Sequence, residues 1–280
     1  MTFEPQNVET MRTGLPGLQS LQIGGAAPLG RLGGLQVRLA RTPAEVEAAQ
    51  ELRHRVFQLE TGKSDCTGRD FDHLDAWCDH LIVADETSGM IVGTYRLLRE
   101  ERAAQAGGFY SQGEYDLNAL LSRMPGRRVL ELGRSCVLAE FRTKRTAELL
   151  WQGIWAYCRR WNIDLMCGCA SFSGTVPALH ALPLSFLHHH ALASGDWAVK
   201  AHADRHVEMD MMPVEAVDLR TALNAMPPLI KGYLRLGAMF GNGAVVDHAF
   251  GTTDVFVVLP VERISSRYIA HYGAEADRFI

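Results

Sequence analysis

Val129, Leu130, Leu132, Cys136, Val137 and Leu138 form the apolar skeleton of a mostly buried strand, and Glu131, Arg134 and Ser135 interrupt it. A carboxylate and a guanidinium in such a strand are costly unless they are paired or have work to do, so Glu131 and Arg134 are the first candidates for catalysis or substrate binding. A little further on, Arg142, Lys144 and Arg145 gather where a helix should open at Thr146. Helix N-termini expose unpaired N–H groups and the positive end of the peptide dipole, and three cations beside them strengthen the attraction for a phosphate. Two more charged groups are patterned. Arg53 and Arg55 precede Val56-Phe57, and Phe71-Asp72-His73-Leu74-Asp75 crowds two carboxylates into one loop. The arginines equally suit the solvated face of a helix, and the aspartates equally suit a loop ordered by its own side chains.

These residues need elements to hold them. Gln36 to Ala40 alternates and predicts a first strand, and Thr42-Pro43-Ala44-Glu45 is a capping box with proline at the first helical position. Val46, Ala49, Leu52, Val56 and Leu59 then predict a helix from Pro43 to about Leu59, which carries Arg53. His80 to Asp85 and Met90 to Leu98 predict two strands joined by Glu86-Thr87-Ser88-Gly89, the second holding Arg96. After the Glu131 strand comes a helix to about Trp161, then a nearly continuous apolar strand, Leu165 to Ala170. Pro177 to Leu192 predicts a helix interrupted at Pro183, and its His188-His189-His190 run suits a wet surface better than a metal site. Val207 to Met211 and Val255 to Leu259 predict late strands, with an amphipathic helix between them over Leu229 to Leu234. Residues 1 to 34 hold ten glycines and prolines among scattered leucines, so a flexible arm is expected there, either idle or touching a membrane or lipid groove.

Composition sets bounds. The 280 residues are 47% hydrophobic and 21% charged, enough for a sizeable core. A formal net charge of -4 argues against general nucleic-acid binding. No apolar run reaches the roughly 18 to 20 residues that span a bilayer, and Glu4, Glu9 and Arg12 leave no compact apolar segment for a secretory signal, so a cytoplasmic protein is expected. Cys66, Cys78, Cys136, Cys158, Cys167 and Cys169 are unevenly spaced and lack a C-x-x-C pair, as for reduced packing cysteines rather than a zinc site.

The strand, Arg142-x-x-x-x-Ala147 and the helix after it resemble the acyl-donor motif of the GNAT acyltransferases, Arg/Gln-x-x-Gly-x-Gly/Ala, with Arg145 where that family has glycine. Glycine there lets the backbone approach a pyrophosphate. An arginine points instead to a donor with a single phosphodiester, the phosphopantetheine arm of acyl carrier protein (ACP), whose acidic surface suits the same cations. The run Arg53 to Phe57, then Phe71-Asp72-x-x-Asp75, Gly93-Thr94-x-Arg96-Leu97 and Glu131-Leu132-x-Arg134, resembles the acyl-homoserine-lactone synthases in order. Those synthases stop earlier. Pro227 to Gly237, with Gly168-Cys169-Ala170-Ser171 before it and Phe250 to Val255 after it, is similar to the bacterial ornithine Nα-acyltransferases over about residues 36 to 270.

The resemblance implies an α/β (α+β) GNAT fold: a mixed central sheet flanked by helices over residues 35–280, with a family-specific C-terminal part from about 213. It implies transfer of a 3-hydroxyacyl chain from acyl-ACP to the α-amine of L-ornithine, with no bound cofactor or metal, at or near the inner membrane. Glutamine or another amino acid as acceptor, a lactone synthase, or a non-catalytic ACP-binding module are the alternatives. S-adenosylmethionine turnover would mark the lactone synthase. In this reading Val137, Arg142, Lys144, Arg145, Thr146 and Ala147 meet the donor. The α-amine has a pKa near 8 and must lose a proton before it attacks the thioester; Glu131 is the candidate base, with Arg134 beside it, provided burial raises its pKa. Asp72 and Asp75 would hold the distal ammonium, while Arg53, Arg96 or Arg134 would grip the carboxylate. A backbone N–H where the strands splay would meet the oxyanion.

Overall fold

The computed structural model of the chain describes residues 28–63, 66–266 and 268–269. In chain order the strands are β1 (Gly30–Leu32), β2 (Leu35–Leu39), β3 (Asp79–Asp85), β4 (Ile91–Arg99), β5 (Val129–Val137), β6 (Leu165–Ser173), β7 (Met239–Asp247) and β8 (Thr252–Pro260). The helices are α1 (Pro43–His54), α2 (Glu100–Ala106), α3 (Leu117–Ser122), α4 (Lys144–Trp161), α5 (Ala181–Ala191), α6 (Leu219–Ala225) and α7 (Pro228–Leu236). The strands of the described residues form one sheet in the order β1-β2-β3-β4-β5-β6-β8-β7, antiparallel throughout except for β5 beside β6. The expected mixed sheet is present, and the C-terminal part completes it rather than standing apart.

Local chemistry explains most elements. Leu35, Val37 and Leu39 alternate inward along β2. Thr42 caps α1 by accepting from the Glu45 N–H, but the Glu45 carboxylate turns to the Arg41 N–H and the Arg38 guanidinium, so only half of the expected capping box forms. Past His54 the helix widens into a π-turn, Arg55–Leu59, which turns Val56 and Phe57 toward the cleft described below. On α4 the apolar stripe Leu149, Ile154 and Tyr157 is buried against one face of the sheet, each side chain contributing about 2 kcal/mol of burial. The opposite face is covered by α2, α3 and the segment around Tyr115, with Val129, Cys167 and Phe256 in its core.

The structure corrects several expectations. Gly30–Leu32, assigned to the arm, is an edge strand paired with β2, and Leu29 is buried; residues 1–27 of the arm lie outside the described residues. Val207 to Met211 makes no strand, only a bridge from Val207 to Ala244. Its place in the sheet is taken by β7, which sequence reading missed because Gly241 and Gly243 interrupt it. Those glycines sit in a bulge between Phe240 and Ala244, where a Cβ on Gly241 would lie 3.2 Å from Phe256. Pro183 does not interrupt α5; it falls in the first turn, where a missing N–H costs nothing, and the chain instead enters through a short 3-10 turn at Pro177–His180.

Candidate active site

The strands β5 and β6 pair over only three residues, Val129 to Glu131 against Leu165 to Cys167, and then part. Two irregularities accompany the parting. On β5 the register against β4 slips between Thr94 and Arg96, and Arg134 in the bulge adopts a left-handed φ of 51°. On β6, Gly168 (φ +146°) presses so close to β5 that a Cβ would stand 2.3 Å from the Leu132 carbonyl oxygen. Glu131 is the last paired residue of β5, so its side chain lies at the root of the opening. A cleft of about 700 Å³ begins there, and Glu131, Arg134, Arg96, Tyr110, Asp247 and Asp254 are among its lining residues.

Glu131 is buried, and its two oxygens accept from the Tyr110 and Ser111 N–H groups, each at 2.8 Å. Burial raises its pKa above the usual carboxylate range, although the Ser111 and Tyr110 hydrogen bonds and Arg96 work against that rise. The Ser111 hydroxyl also bonds this carboxylate, which still has acceptor capacity for a water or an amine. The local pattern is simple: Glu131 alternates with Leu130 and Leu132, which face α4, and so points to the face covered by the Tyr110 turn.

Arg53, Arg96 and Arg134 share three aspartates of the loop before β3. Arg53 hydrogen-bonds Asp75 at 2.8 Å and stands 2.9 Å from the Asp70 carboxylate; Arg96 hydrogen-bonds Asp72 at 2.6 Å and Asp75 at 3.2 Å; Arg134 hydrogen-bonds Asp72 at 3.2 Å and stands 3.2 Å from the Asp70 carboxylate. Asp72 also accepts the Leu74 N–H and Asp75 the Asp72 N–H, so the loop is ordered by its own carboxylates as well. Burial pushes the Asp75 pKa up, but Arg53 and Arg96 pull harder and leave it below the ordinary value. Neither Asp72 nor Asp75 lines the cleft, and Arg53 is buried beneath it. In the structure these residues contact one another. Arg134 does reach the cleft, its guanidinium packed 4.7 Å from the Tyr110 ring centroid and 4.6 Å from that of Phe250.

Three buried carboxylates that sequence reading passed over cluster at the cleft: Asp247 and Asp254 line it, and Glu114 stands behind them. Burial pushes the Asp254 pKa up to about 6 and raises that of Glu114. A weak signal for Asp254 was present: it is a carboxylate placed directly before the apolar run Val255 to Leu259 within the same strand.

Around the start of α4, the Thr143 hydroxyl accepts the Thr146 N–H and the Thr143 carbonyl accepts that of Ala147, which leaves the Lys144 and Arg145 N–H groups without a protein partner among the described residues. Lys144 is exposed and pairs with Glu148, and Arg145 lies against Gly33. Arg142, which bonds the Val137 carbonyl and Glu60, lines the cleft. His188 and His189 sit half-buried near Asp210, away from this cleft.

Residues 52–152 match the family of acetyltransferase (GNAT) domains. The chain is 59% identical over 267 residues to the L-ornithine N(alpha)-acyltransferase of Brucella abortus, covering 92% of this chain and 95% of that protein. It is 55% identical over 261 residues to the enzyme of the same description from Rhizobium meliloti, covering 90% and 88%. Among solved structures it is similar to FeeM, an N-acyl amino acid synthase from uncultured soil microbes, at 12% identity and a TM-score of 0.46, over 81% of this chain and 91% of that one. With near-full-length identities of this size on a sheet that parts beside a buried glutamate, the chain is an acyltransferase of the GNAT superfamily and belongs to the L-ornithine Nα-acyltransferase family.

Proposed function

We propose that the protein moves a 3-hydroxyacyl chain from acyl-ACP to the α-amine of L-ornithine, yielding lyso-ornithine lipid. The observation that carries this reading is the cleft that opens where β5 and β6 part, with a buried, pKa-raised carboxylate at its root. The pantetheine arm enters between the parted strands and presents its thioester near Glu131. Glu131, directly or through a water, takes one proton from the α-ammonium. The freed nitrogen attacks the thioester carbon, a backbone N–H of the parted strands meets the oxyanion, the nitrogen gives up a second proton to solvent, and the C–S bond breaks as the amide forms. The proton held by Glu131 passes to the departing thiolate. Arg134, gripped on one side by Asp70 and Asp72, offers its open side to the acceptor's carboxylate. Arg53, Arg96, Asp72 and Asp75 act as positioning residues that hold Arg134 and the loop.

The donor's single phosphate sits at the unpaired N–H groups opening α4, with Arg142, Lys144 and Arg145 toward the acidic carrier. Since the product carries one long chain worth roughly 0.8 kcal/mol per buried methylene, release into a bilayer is favoured, and residues 1–27 are proposed as a peripheral membrane contact. No helix of the described residues is long and apolar enough to cross a membrane. Purified protein given acyl-ACP and a mixture of amino acids should yield N-acyl-ornithine by mass spectrometry. Acylation of glutamine instead, or equal use of acyl-CoA, would overturn the acceptor or the donor assignment respectively. Removing residues 1–27 should reduce co-sedimentation with liposomes, and unchanged sedimentation would discard the membrane contact.

A further inference from the structure

We infer that Glu114, Asp247 and Asp254 form a pocket for the side-chain ammonium of the acceptor amino acid, and that this pocket makes the enzyme select a cationic substrate. The inference rests on the proposed acylation of an amino-acid α-amine in the same cleft. The three carboxylates come from three elements: Glu114 follows the Tyr110–Gly113 turn, Asp247 ends β7 and Asp254 lies in β8. One oxygen of each lies within 4.8 Å of the others. Asp254 is only 6% exposed and lines the cleft, and its buried Oδ1 has no hydrogen-bond partner among the described residues. A buried carboxylate oxygen without a donor, on a residue at the wall of a cavity, is short of one hydrogen bond that a bound cation can supply.

The strip that joins this pocket to Glu131 is continuous. Cys167 of β6 pairs with Glu131, and Ser171 on the same face of β6 pairs with Asp254. Between them Cys169 donates its thiol to Glu114 at 3.2 Å and lies 3.4 Å from the Ser111 hydroxyl, whose own N–H holds Glu131. An amino acid lying along this strip has its α-amine at Glu131 and its side chain toward Asp254.

The donor set fits an ammonium better than a divalent ion. Asp247 Oδ1 is taken by the Ala249 and Phe250 N–H groups at 2.8 and 2.9 Å, and Glu114 is taken by Arg205 at 3.3 Å and by Cys169. Few oxygens remain for a metal that wants six or more, whereas an ammonium has three N–H donors, one for each carboxylate. Arg205 offsets one of the three negative charges, so one added cation leaves the cluster closer to neutral without overfilling it.

The test compares ornithine with norvaline, which has the same carbon chain and no side-chain amine. In wild type, ornithine should be the better acceptor by a wide margin. Asp254→Asn should lower kcat/KM for ornithine roughly 10- to 100-fold, the worth of a hydrogen bond to a charged group, and leave norvaline nearly unchanged, so that the ratio collapses. Asp247→Asn should act in the same direction. An unchanged ratio in both variants overturns the pocket, while wild type that acylates ornithine would still uphold the reaction. Calorimetry of the wild-type protein with each amino acid needs neither turnover nor a variant: norvaline bound as tightly as ornithine overturns the pocket. Stoichiometric binding of Mn²⁺ or Ca²⁺ that Asp254→Asn abolishes, together with turnover lost to a chelator, assigns the cluster to a metal and overturns it as well.

Discussion

Asp254 should weaken the fold that carries it. Burial first, then Glu114 and Asp247 beside it, raise its pKa from an ordinary 3.8 to about 6, with the Thr252 and Ser171 hydroxyls offsetting part of the rise. Of the other charged or titratable groups around the cluster, Cys169 stays a neutral thiol, its pKa raised by burial, and Arg205 pairs with Glu114. A carboxyl that holds its proton more tightly when folded than when unfolded stabilises nothing at high pH. Native stability falls as pH rises from about 4 to about 6, and the deficit persists above that range. At 1.36 kcal/mol per pH unit, a shift of about 2 units is worth about 3 kcal/mol. Asp254→Asn removes the titration. The variant should equal wild type near pH 4 and exceed it by up to about 3 kcal/mol at pH 7, which for a chain of this size is a Tm gain of about 6 °C. Urea unfolding and thermal melts at half-unit steps from pH 4 to 8, without amino acid present, measure this. A variant whose advantage does not grow with pH, or that is less stable at pH 7 than wild type, refutes the assignment of Asp254 as a buried, underpaired carboxylate. Added ornithine should narrow the gap, because it stabilises wild type in preference to the variant.

Glu131→Gln should lower kcat about 10²- to 10⁴-fold, as loss of a general base does, and should also lower Tm, because the new amide NH₂ must face the N–H of Tyr110 or Ser111; unchanged turnover would remove Glu131 from the mechanism. Gly168→Ala forces a Cβ toward backbone 2.3 Å away at a φ that side chains rarely adopt, so a loss of roughly 2 to 4 kcal/mol in urea unfolding is expected, and near-native stability would show that this close approach of β6 to β5 is not needed. Reversing Lys144 and Arg145 together to glutamate should raise KM for acyl-ACP far more than KM for ornithine, with a weaker salt dependence than wild type; equal effects on both substrates would separate these cations from the carrier.

The sequence by itself determined those features whose cause is local. Alternation set β2, the Thr42 cap set the start of α1, and the apolar stripe of α4 set its buried face, while α4 starts at Lys144 under a Thr143 cap, two residues before the expected Thr146. Glu131 stood out because a carboxylate in an apolar strand carries an energetic cost that spacing alone makes visible. The two interior glycines of β7 hid it, because a bulged strand loses the period of two that marks strands. Partners were decided only by the tertiary structure. Asp72 and Asp75 carry the same charges whether they face a substrate or an arginine, and it is the register of β3, β4 and β5 that delivers Arg96 and Arg134 to them across 24 and 62 residues of chain. The acidic wall is the same case on a longer scale: Glu114, Asp247 and Asp254 belong to segments whose meeting depends on strand order, and sequence spacing says nothing about strand order. The parting of β5 from β6, which turns two ordinary strands into a cleft, follows a bulge in β5 just past a glycine of β6 that sits against the Leu132 carbonyl, features that no spacing in the sequence announces.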